Sequence, residues 1–572
     1  MRQEPSLVVR NGTIVDGTGV PAVVADIAIA GDRIISIGHV PERGAEEIDA
    51  RGLLVTPGFV DLHTHYDAQV TWAEHITPSS CQGVTTILTG NCGVGFAPCH
   101  AHDRRRLVEL MEGVEDIPEV VLTEGLPWNW CSFPDYLDSL AARRFDLDVA
   151  TQVPHAALRV HVMGERGAAR EPATAEDRAA MGRLAAEGIE AGALGFSTSR
   201  TLNHKTVSGQ PTPTLAAAED ELAAIAGAIG QIGAGWLQVI ADFDDQLDTE
   251  FAMLRRLVAG SGRPMTITVL ERDAKPEEWR RLLDGIRAAN AEGLKMTGQV
   301  LTRPTGILLG FEISQHPFVD CPSYQPIAAL PFANRLTALH DPEMRGRLVA
   351  EATADAGRTR RLRNWDRIFL LGDPPDYEPP PEHSLGAEAR RRDIDPAALA
   401  YDRLLERDGR AILYRPLSNY AHGDLATVRE MMQHPNTLLG LGDGGAHVGV
   451  LCDASALTYG LTHWTRDRSN GRFPVEWMVR RMTCDNVRAI GLGDRGVLAP
   501  GYRADINLID YDRLRLRAPE VVYDLPAGGR RLVQRAEGYV ATLVAGQPVW
   551  RDGAPTGVLP GRLVRGPRAV AA

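Results

Sequence analysis

The fold of this chain is decided by Gly58-Phe59-Val60-Asp61-Leu62-His63-Thr64-His65-Tyr66-Asp67, a stretch typical of a buried strand that ends in two histidines. Successive side chains of an extended chain point to opposite faces, so His63 and His65 share a face. Two neighbouring imidazoles at a strand end can bind one divalent metal, since neutral imidazole is the commonest protein ligand for metals. The alternative is one core histidine and one surface histidine.

The composition limits the class of protein. The chain has 572 residues, of which 44% are hydrophobic and 24% charged, as in soluble globular proteins. This length exceeds what one hydrophobic core usually supports, so we expect one large domain and a smaller one. A formal net charge of -13 argues against nucleic acid as the main partner, because phosphate binding needs a basic surface.

Cysteine usage and the absence of long apolar runs indicate the compartment. Seven cysteines occur, and no two of them form a Cys-x-x-Cys pair. In a chain of this length they are typical of free thiols in a reducing compartment. Residues 1–6 lack the apolar core of a signal peptide, and no run of about 18 apolar residues occurs. We therefore expect a cytoplasmic protein with no membrane segment.

Apolar runs alternate with helical segments from residue 58 onward. Eight of these runs have the length and composition of buried strands. They lie at 58–67, 83–92, 149–155, 193–198, 236–240, 264–270, 294–300 and 437–443. Eight such strands alternating with helices predict an α/β fold, a (β/α)8 barrel of the TIM type.

Short alternating strands flank this region at both chain ends. Turn signals such as Asn11-Gly12 punctuate the first of them, and the same style returns after Asp485. We expect residues 1–57 and 485–572 to form one small β-sandwich domain beside a barrel domain of residues 58–484.

A long segment separates the seventh and eighth predicted strands. It exceeds ordinary connection lengths, so residues 304 to about 425 are predicted to be a helical insertion. The proline-rich stretch 372–381 is a stiff loop within it. An insertion at this point lies over the C-terminal mouth of a barrel, where lids usually sit.

Functional side chains of a barrel lie at the C-terminal ends of its strands. By that rule His63, His65, Cys92 and Asp443 are the candidates for a metal site. Metal-assisted hydrolysis needs a Lewis acid and a base, and Asp443 can serve as both ligand and general acid/base. The alternatives are a turn residue in a glycine-rich loop for Asp443 and a buried core thiol for Cys92.

Five segments together resemble the amidohydrolase superfamily, in particular its N-acyl-D-amino-acid deacylase (D-aminoacylase) branch. They are Gly58–Asp67, Thr89–Gly95, Gly195–Thr198, Gly442–His447 and Asp494–Asp505, and they span nearly the whole chain. The resemblance implies hydrolysis of an amide by metal-activated water.

Carried onto this chain residue by residue, the resemblance implies specific roles. His63, His65 and Cys92 become metal ligands, and Asp443 becomes a ligand and the general acid/base. Imidazoles together with a thiolate suit Zn²⁺.

The chain departs from the superfamily pattern at strands five and six. The superfamily places further histidine ligands at the ends of these strands, but Gln238–Phe243 and Thr268–Arg272 contain no histidine. A two-metal site of the D-aminoacylase kind is therefore not expected.

Three interpretations of the metal site remain. In the first, His63, His65 and Asp443 hold one metal, with Cys92 as fourth ligand or close neighbour. In the second, Asp242 and Glu271 replace the missing imidazoles and give an oxygen-rich site suited to Mg²⁺ or Mn²⁺. In the third, the site is free of metal and hydrolysis has been lost. We favour the first, with one divalent ion, zinc, per chain.

Other polar residues near strand ends are candidates for substrate binding: His155, Arg200, His204, Lys205, Lys295, Arg303, His447 and His463. His155 matches a pocket histidine implied by the resemblance, or is a hydrogen-bonded core histidine. Arg200 with its neighbours can form a positive rim for a substrate carboxylate, although Lys205 fits a solvated loop equally well. Lys295 either lines the pocket or ends strand seven. His447 is a candidate for supporting Asp443.

These observations predict a metal-dependent hydrolase that cleaves the C–N bond of an N-acyl amino acid. Hydrolysis of a cyclic amide or imide is the alternative reaction, and a barrel that binds without catalysing is the alternative class. We expect a small-molecule substrate, no nucleic-acid or membrane partner, and a homo-oligomer as the family allows.

Overall fold

The computed structural model describes residues 4–354 and 362–566. A β-sheet built from both ends of the chain packs beside a barrel of alternating strands and helices. Within these residues, every helix is too short or too polar to cross a membrane.

Strands from both chain ends share one sheet. Leu54–Pro57 joins the two halves, because it pairs in parallel with Leu7–Ile14 and antiparallel with Ile506–Ile509. Val55 and Leu508 are fully buried in the apolar core of this sheet. Its nine strands are Leu7–Ile14, Val23–Ala30, Arg33–Gly38, Glu46–Asp49, Leu54–Pro57, Ile506–Ile509, Tyr539–Val544, Gln547–Arg551 and Ala554–Pro555. The predicted β domain of both ends is confirmed, whereas its limits at 57 and 485 stay a prediction.

Eight parallel strands, named barrel strands one to eight in chain order, form the predicted barrel. All residues of strands two and three are buried, as expected for a parallel sheet covered on both faces. Thr64 and Gly444, beyond the ends of strands one and eight, form a parallel bridge that closes the barrel. The strands are Phe59–Asp61, Val84–Thr89, Asp148–Pro154, Gly195–Arg200, Trp236–Ala241, Met265–Thr268, Met296–Val300 and Thr437–Leu439.

Helices surround the barrel and begin where the sequence offers caps. Thr174 accepts a hydrogen bond from the backbone of Asp177, whose side chain caps Thr174 in return, and the helix Ala175–Ala191 starts there. The helices outside the insertion are Arg104–Glu115, Glu119–Gly125, Phe133–Ala141, His155–Met163, Glu165–Ala168, Ala175–Ala191, Glu219–Ile232, Leu247–Ser261, Glu278–Ala291, Ala426–Gln433, Ala456–Thr462, Val475–Met482 and Cys484–Ala489.

The insertion after barrel strand seven has an apolar core of its own. It is not entirely helical as predicted, because apolar runs at its two ends pair in an antiparallel sheet. The strands are Gly306–Leu309, Phe369–Leu370 and Leu413–Pro416, and the helices are Gln325–Ala328, Phe332–Leu339, Pro342–Ala354, Leu385–Arg392 and Pro396–Gly409. The insertion lies against the loop after barrel strand eight, where the Leu308 N–H donates to the Val450 carbonyl at 2.8 Å.

The C-terminal segment also reaches the mouth of the barrel. The strands Glu520–Leu525 and Gly529–Val533 form a hairpin, and a second pair joins Arg515–Leu516 to Ala536–Glu537. The Leu532 N–H of the hairpin donates to the Val448 carbonyl at 2.7 Å, so the hairpin lies against the loop that follows Asp443.

Candidate active site

His63 and His65 lie in the loop after barrel strand one, since that strand ends at Asp61. The Asp61 carboxylate accepts the His63 backbone N–H at 3.1 Å and turns the chain at this point. The Asp443 N–H donates to the His63 carbonyl at 2.9 Å, and the His65 N–H donates to the Gly444 carbonyl at 2.7 Å. These bonds hold both histidines against the end of barrel strand eight, with their ring centroids 5.3 Å apart.

Each imidazole is oriented through its Nδ1 atom. Nδ1 of His63 lies 2.6 Å from Oε1 of Gln299, and Nδ1 of His65 lies 3.0 Å from Oε1 of Glu115. The Gln299 acceptor places a proton on Nδ1 of His63 and leaves its Nε2 with a free lone pair, whereas Glu115 meets His65 as an ion-pair partner. Carboxylate or amide partners of this kind commonly position metal-ligating histidines.

The two Nε2 atoms face a thiol and a carboxylate. His63 Nε2 lies 3.1 Å from Cys92 Sγ and 3.6 Å from Asp443 Oδ1, and His65 Nε2 lies 3.8 Å from the same oxygen. Two ligands of a tetrahedral zinc ion, each about 2.0–2.3 Å from the metal, are about 3.3–3.6 Å apart. The spacing and the chemistry of the two imidazoles and the thiol therefore fit one zinc-like ion, and the Asp443 carboxylate lies at the edge of this set.

Cys92 has a backbone conformation that residues other than glycine rarely adopt. Its φ of 55° lies in the left-handed region, and such strain is concentrated at functional sites. The Cys92 N–H donates to Gln238 Oε1 at 2.8 Å, and the Gly93 N–H donates to Ser197 Oγ at 2.8 Å. Barrel strands four and five thus fix the turn that aims the thiol at His63.

Burial and mutual contacts shift the protonation of these groups. Burial raises the pKa of Asp443 to about 8, and burial together with the neighbouring His65 lowers the pKa of His63 to about 3. Burial alone would raise the pKa of Glu115, but the charge of His65 lowers it to about 2. Glu115 in turn raises the pKa of His65 well above its ordinary value against the effect of burial. Glu115 is therefore ionised beside His65.

Residues 46–550 match the model of the amidohydrolase family, which is most of the chain. The chain belongs to the amidohydrolase family. Membership makes it a hydrolase of carbon–nitrogen bonds other than peptide bonds.

Similar proteins extend over almost the whole amidohydrolase chain. It is 27% identical to a D-aminoacylase of Alcaligenes xylosoxydans xylosoxydans over 98% of this chain and 97% of that one. A solved D-aminoacylase, described by one-metal activation and second-metal attenuation of its binuclear centre, matches with a TM-score of 0.66, 24% identity and coverage of 98% and 100%. The N-acyl-D-glutamate deacylase of Bordetella bronchiseptica, solved with zinc and a phosphonate mimic of the tetrahedral intermediate, gives 0.65, 24% and the same coverage.

Barrel strands five and six of this amidohydrolase carry uncharged side chains, whereas the superfamily pattern has histidine ligands at these strands. Gln238 uses its Oε1 on the Cys92 backbone, and its Nε2 is buried without a partner in the described structure. Thr268 is buried at the end of strand six, and its hydroxyl likewise has no described partner. Neither side chain brings an anionic or imidazole ligand to the site.

Asp242 and Glu271 do not replace those imidazoles, and this interpretation is corrected. The Asp242 carboxylate accepts hydrogen bonds from Thr201 Oγ1 at 2.6 Å and from the Leu202 N–H at 2.7 Å, so it holds the loop after strand four. Glu271 accepts from Thr427 Oγ1 at 2.8 Å, so it fixes the start of the helix Ala426–Gln433. Both carboxylates serve local structure.

His155 also lies in a structural network rather than in an open pocket. Its Nδ1 lies 2.8 Å from Thr198 Oγ1 and its Nε2 lies 2.9 Å from Glu221 Oε1. Glu221 further pairs with the buried Arg159. Because both ring nitrogens have partners, the structure favours the alternative of a hydrogen-bonded core histidine over an oxyanion helper.

The expected positive rim is not formed by the residues first considered. Arg200 makes a two-bond pair with Glu250 at 2.6 and 2.9 Å, so its charge is already compensated. Lys205 is exposed in the loop after strand four. Lys295 is exposed just before Met296–Val300 begins, at the end of strand seven opposite the mouth, so it does not line the site. The assignments of Arg200 and Lys295 are corrected, whereas that of Lys205 stays a prediction.

The remaining predicted residues lie closer to the metal donors or to the insertion. His204 is buried with its Nδ1 2.9 Å from Ser199 Oγ, and the charges of Glu115 and His447 act on it. His447 has a φ of 46° in the glycine-rich loop beside Asp443. His204 and His447 thus stay predictions for substrate binding.

Arg303 and His463 instead tie the insertion to the barrel. Arg303 pairs with the buried Asp453 at 2.8 Å and lies over the ring of Tyr377, 3.8 Å from its centroid. His463 Nε2 lies 2.7 Å from Glu378 Oε2. Tyr377 and Glu378 belong to the proline-rich loop of the insertion, so these contacts anchor that loop.

Two residues of the site, Glu115 and Gln238, are missing from the sequence predictions. Gln238 and Gln299 are each the one amide side chain in a mostly apolar strand. A single polar residue in such a strand indicates a side chain that faces a polar group inside the barrel. Glu115 gives no such signal, because it ends a helix rich in charged residues and meets His65 only in the folded chain.

Proposed function

We propose that this amidohydrolase cleaves the acyl amide bond of N-acyl-D-amino acids with one zinc ion per chain. The observation that carries the proposal is the grouping of His63, His65 and Cys92, whose donor atoms lie within 4.8 Å of one another at the mouth of the barrel. Asp443 Oδ1 lies beside this group, 3.6 and 3.8 Å from the two Nε2 atoms. The names of its relatives, D-aminoacylase and N-acyl-D-glutamate deacylase, support the choice of substrate.

The chain's own residues divide the chemistry among them. A zinc ion held by these four donors would polarise the amide carbonyl and acidify water. Asp443 is half-buried at the edge of the donor cluster, so its carboxylate can accept a proton from the attacking water and return it to the leaving nitrogen. Gln299 and Glu115 keep the two imidazoles turned toward the cluster while the proton moves.

A single ion is proposed because the chain supplies one complete set of donors. The solved relatives with a binuclear centre are similar in fold. In this chain, Gln238 lies within strand five and Thr268 ends strand six, and neither side chain binds zinc as an imidazole does. Zinc-edge anomalous scattering from a crystal tests the count: one peak among the four donors is expected, and two peaks there contradict the proposal.

Catalysis is tested with N-acetyl-D-amino acids and their L enantiomers, with and without zinc. We expect turnover of the D series that stops in chelator and returns with zinc. Asp443→Asn should lower kcat at least about 10³-fold, since it removes the proton carrier. Asp467→Asn is the matched control, because Asp467 only pairs with Arg466 at the surface. Substrate binding without turnover in the wild-type protein would favour the non-catalytic alternative instead.

The cytoplasmic location and the homo-oligomer stay predictions. Fractionation of cells tests the location, and light scattering of the purified protein tests the oligomeric state.

A further inference from the structure

The C-terminal hairpin, residues 520–533, lies at the mouth of the barrel beside the candidate active site. Its Leu532 N–H donates to the Val448 carbonyl at 2.7 Å, and the Val448 N–H donates to the Glu115 carbonyl at 3.0 Å. The carboxylate of Glu115 is the group that contacts His65. Two hydrogen bonds therefore connect the hairpin to the residue that holds one of the candidate metal ligands.

The hairpin carries an arginine, Arg530, whose charge is unpaired. Side chains alternate along a strand, so Arg530 shares a side with Leu532, and Leu532 lines a small cavity together with Asp443. Arg530 is half-buried, and its guanidinium makes no ion pair and no hydrogen bond with the described residues. Because a guanidinium stays protonated in proteins, this is a permanent positive charge beside the site.

The charge of Arg530 acts on groups from three parts of the chain. They are the carboxyl of Asp116, at the end of the helix that carries Glu115, and the phenols of Tyr324 in the insertion and Tyr523 in the hairpin. Burial raises the pKa of Asp116 although the charge of Arg530 opposes this. Asp116 is therefore a weak counter-charge, and the guanidinium keeps its capacity to bind an anion from solution.

Neighbouring arginines lack this capacity because they already have partners. Arg303 pairs with the buried Asp453 at 2.8 Å. Arg531, the next residue after Arg530, pairs with Asp524 at 2.8 Å. Of these three arginines, Arg530 is the one that can bind an added anion without first giving up a carboxylate.

An N-acyl amino acid brings such an anion. Its α-carboxylate lies next to the amide that is cleaved and is ionised near neutral pH. Guanidinium groups suit carboxylates because two of their N–H groups can bind the two oxygens. We propose that Arg530 binds the α-carboxylate of the substrate and so determines specificity for the free acid. The inference rests on the proposed function and deepens it, since the residue comes from the C-terminal segment rather than from the end of a barrel strand.

The test compares N-acetyl-D-leucine with N-acetyl-D-leucinamide, which is similar in shape and has no charge. Arg530→Gln should raise KM for the acid at least about tenfold, because a charge-assisted hydrogen bond is lost. A residue that binds the substrate away from the reacting atoms should leave kcat within about threefold. The Ki of the amide, measured in competition with the acid, should stay within about twofold. Arg530→Lys keeps the charge and should recover part of the lost affinity.

The matched control is Arg535→Gln in the same segment, since Arg535 is exposed and pairs with Glu520 at the surface. Its kinetic constants should be those of the wild type. Should Arg530→Gln lose its fold, as judged by circular dichroism, Arg530→Met replaces it, because methionine keeps much of the length of the side chain without the charge.

Three results would overturn the role of Arg530. They are a KM for the acid that does not change in the folded variant, equal effects on acid and amide, and an effect confined to N-acetyl-D-glutamate, which would assign Arg530 to a side-chain carboxylate instead.

Failure of the proposed function would be seen separately, as a wild-type protein that turns over no N-acyl-D-amino acid. Calorimetric binding of N-acetyl-D-leucine then decides about Arg530. Binding that Arg530→Gln weakens at least about tenfold supports the carboxylate site. No binding by the wild type, or equal binding by the variant, refutes it.

Discussion

Replacement of Glu115 by glutamine tests how the catalytic metal site is built. Glu115 is fully buried, and its Oε1 lies 3.0 Å from His65 Nδ1. At this distance, and with an effective dielectric constant of about 20, two unit charges attract by about 5 kcal/mol. Desolvation of the buried carboxylate cancels much of that energy. The net effect on metal affinity should then be that found for carboxylates that hydrogen-bond to metal-ligating histidines.

We expect Glu115→Gln to lower zinc affinity about tenfold and Glu115→Ala about a hundredfold. These factors correspond to about 1.4 and 2.8 kcal/mol. Glutamine keeps an acceptor oxygen for Nδ1 and loses only the charge, whereas alanine loses both. The assay is competition for zinc with a fluorescent chelator, followed by activity as a function of free zinc. Activity at saturating zinc should recover in the glutamine variant.

The matched control is Glu109→Gln on the same helix, since Glu109 pairs only with the exposed Arg105. It should bind zinc as the wild-type protein does. If Glu115→Gln also binds zinc within twofold of wild type, Glu115 does not position His65 and the reasoning fails.

Three further predictions rest on other contacts. Cys92→Ser should lower zinc affinity at least about tenfold, because a hydroxyl is a poor substitute for a thiolate; dialysis against chelator measures it. Gly442→Ala should lower the free energy of unfolding by about 1–3 kcal/mol, since the added Cβ would lie 1.9 Å from Asp61 Oδ2; thermal melting checks this, and an unchanged Tm contradicts it. Hydrogen bonds from His463 and Arg468 outweigh burial, which raises the pKa, and lower the pKa of Glu378 from 4.5 to about 2. A depressed pKa adds stability above about pH 4.5, and this stability is lost as the pH falls toward 2. The wild type should therefore be more stable than Glu378→Gln by at most about 3 kcal/mol at pH 6, and this difference should shrink by pH 3. Urea titrations at the two pH values measure it. A gap that does not change with pH would show that Glu378 is not held as an anion.

The sequence predicts the barrel well because its strands are buried on both faces. Val84–Thr89 and Asp148–Pro154 are uniformly buried, and such runs stand out from amphipathic helices such as Glu278–Ala291. Strand ends are harder to predict, because the hydrophobic pattern continues past the last ladder bond. The apolar pattern predicts strand one over residues 58–67, but the strand ends at Asp61, whose carboxylate accepts the His63 N–H.

The candidate metal donors could be predicted, whereas their supporting groups could not. His63, His65, Cys92 and Asp443 all follow strands whose ends meet at one rim, so strand order alone brings them together. Glu115 approaches His65 from a helix, and no local pattern specifies that contact. Arg200 is the reverse case, a residue predicted for the site that does not belong to it. Its place at a strand end predicts a substrate rim, but it pairs with Glu250 on the helix Leu247–Ser261.

The pairing of Leu54–Pro57 with Ile506–Ile509 has a consequence for biosynthesis. The ribosome makes about 450 residues between the two strands, which takes roughly 20–90 s at about 5–20 residues per second. During that interval the early strand has an unpaired edge, and exposed edges invite association with other nascent chains. We therefore expect the nascent chain to be prone to association until residues 506–509 have been made and cover this edge.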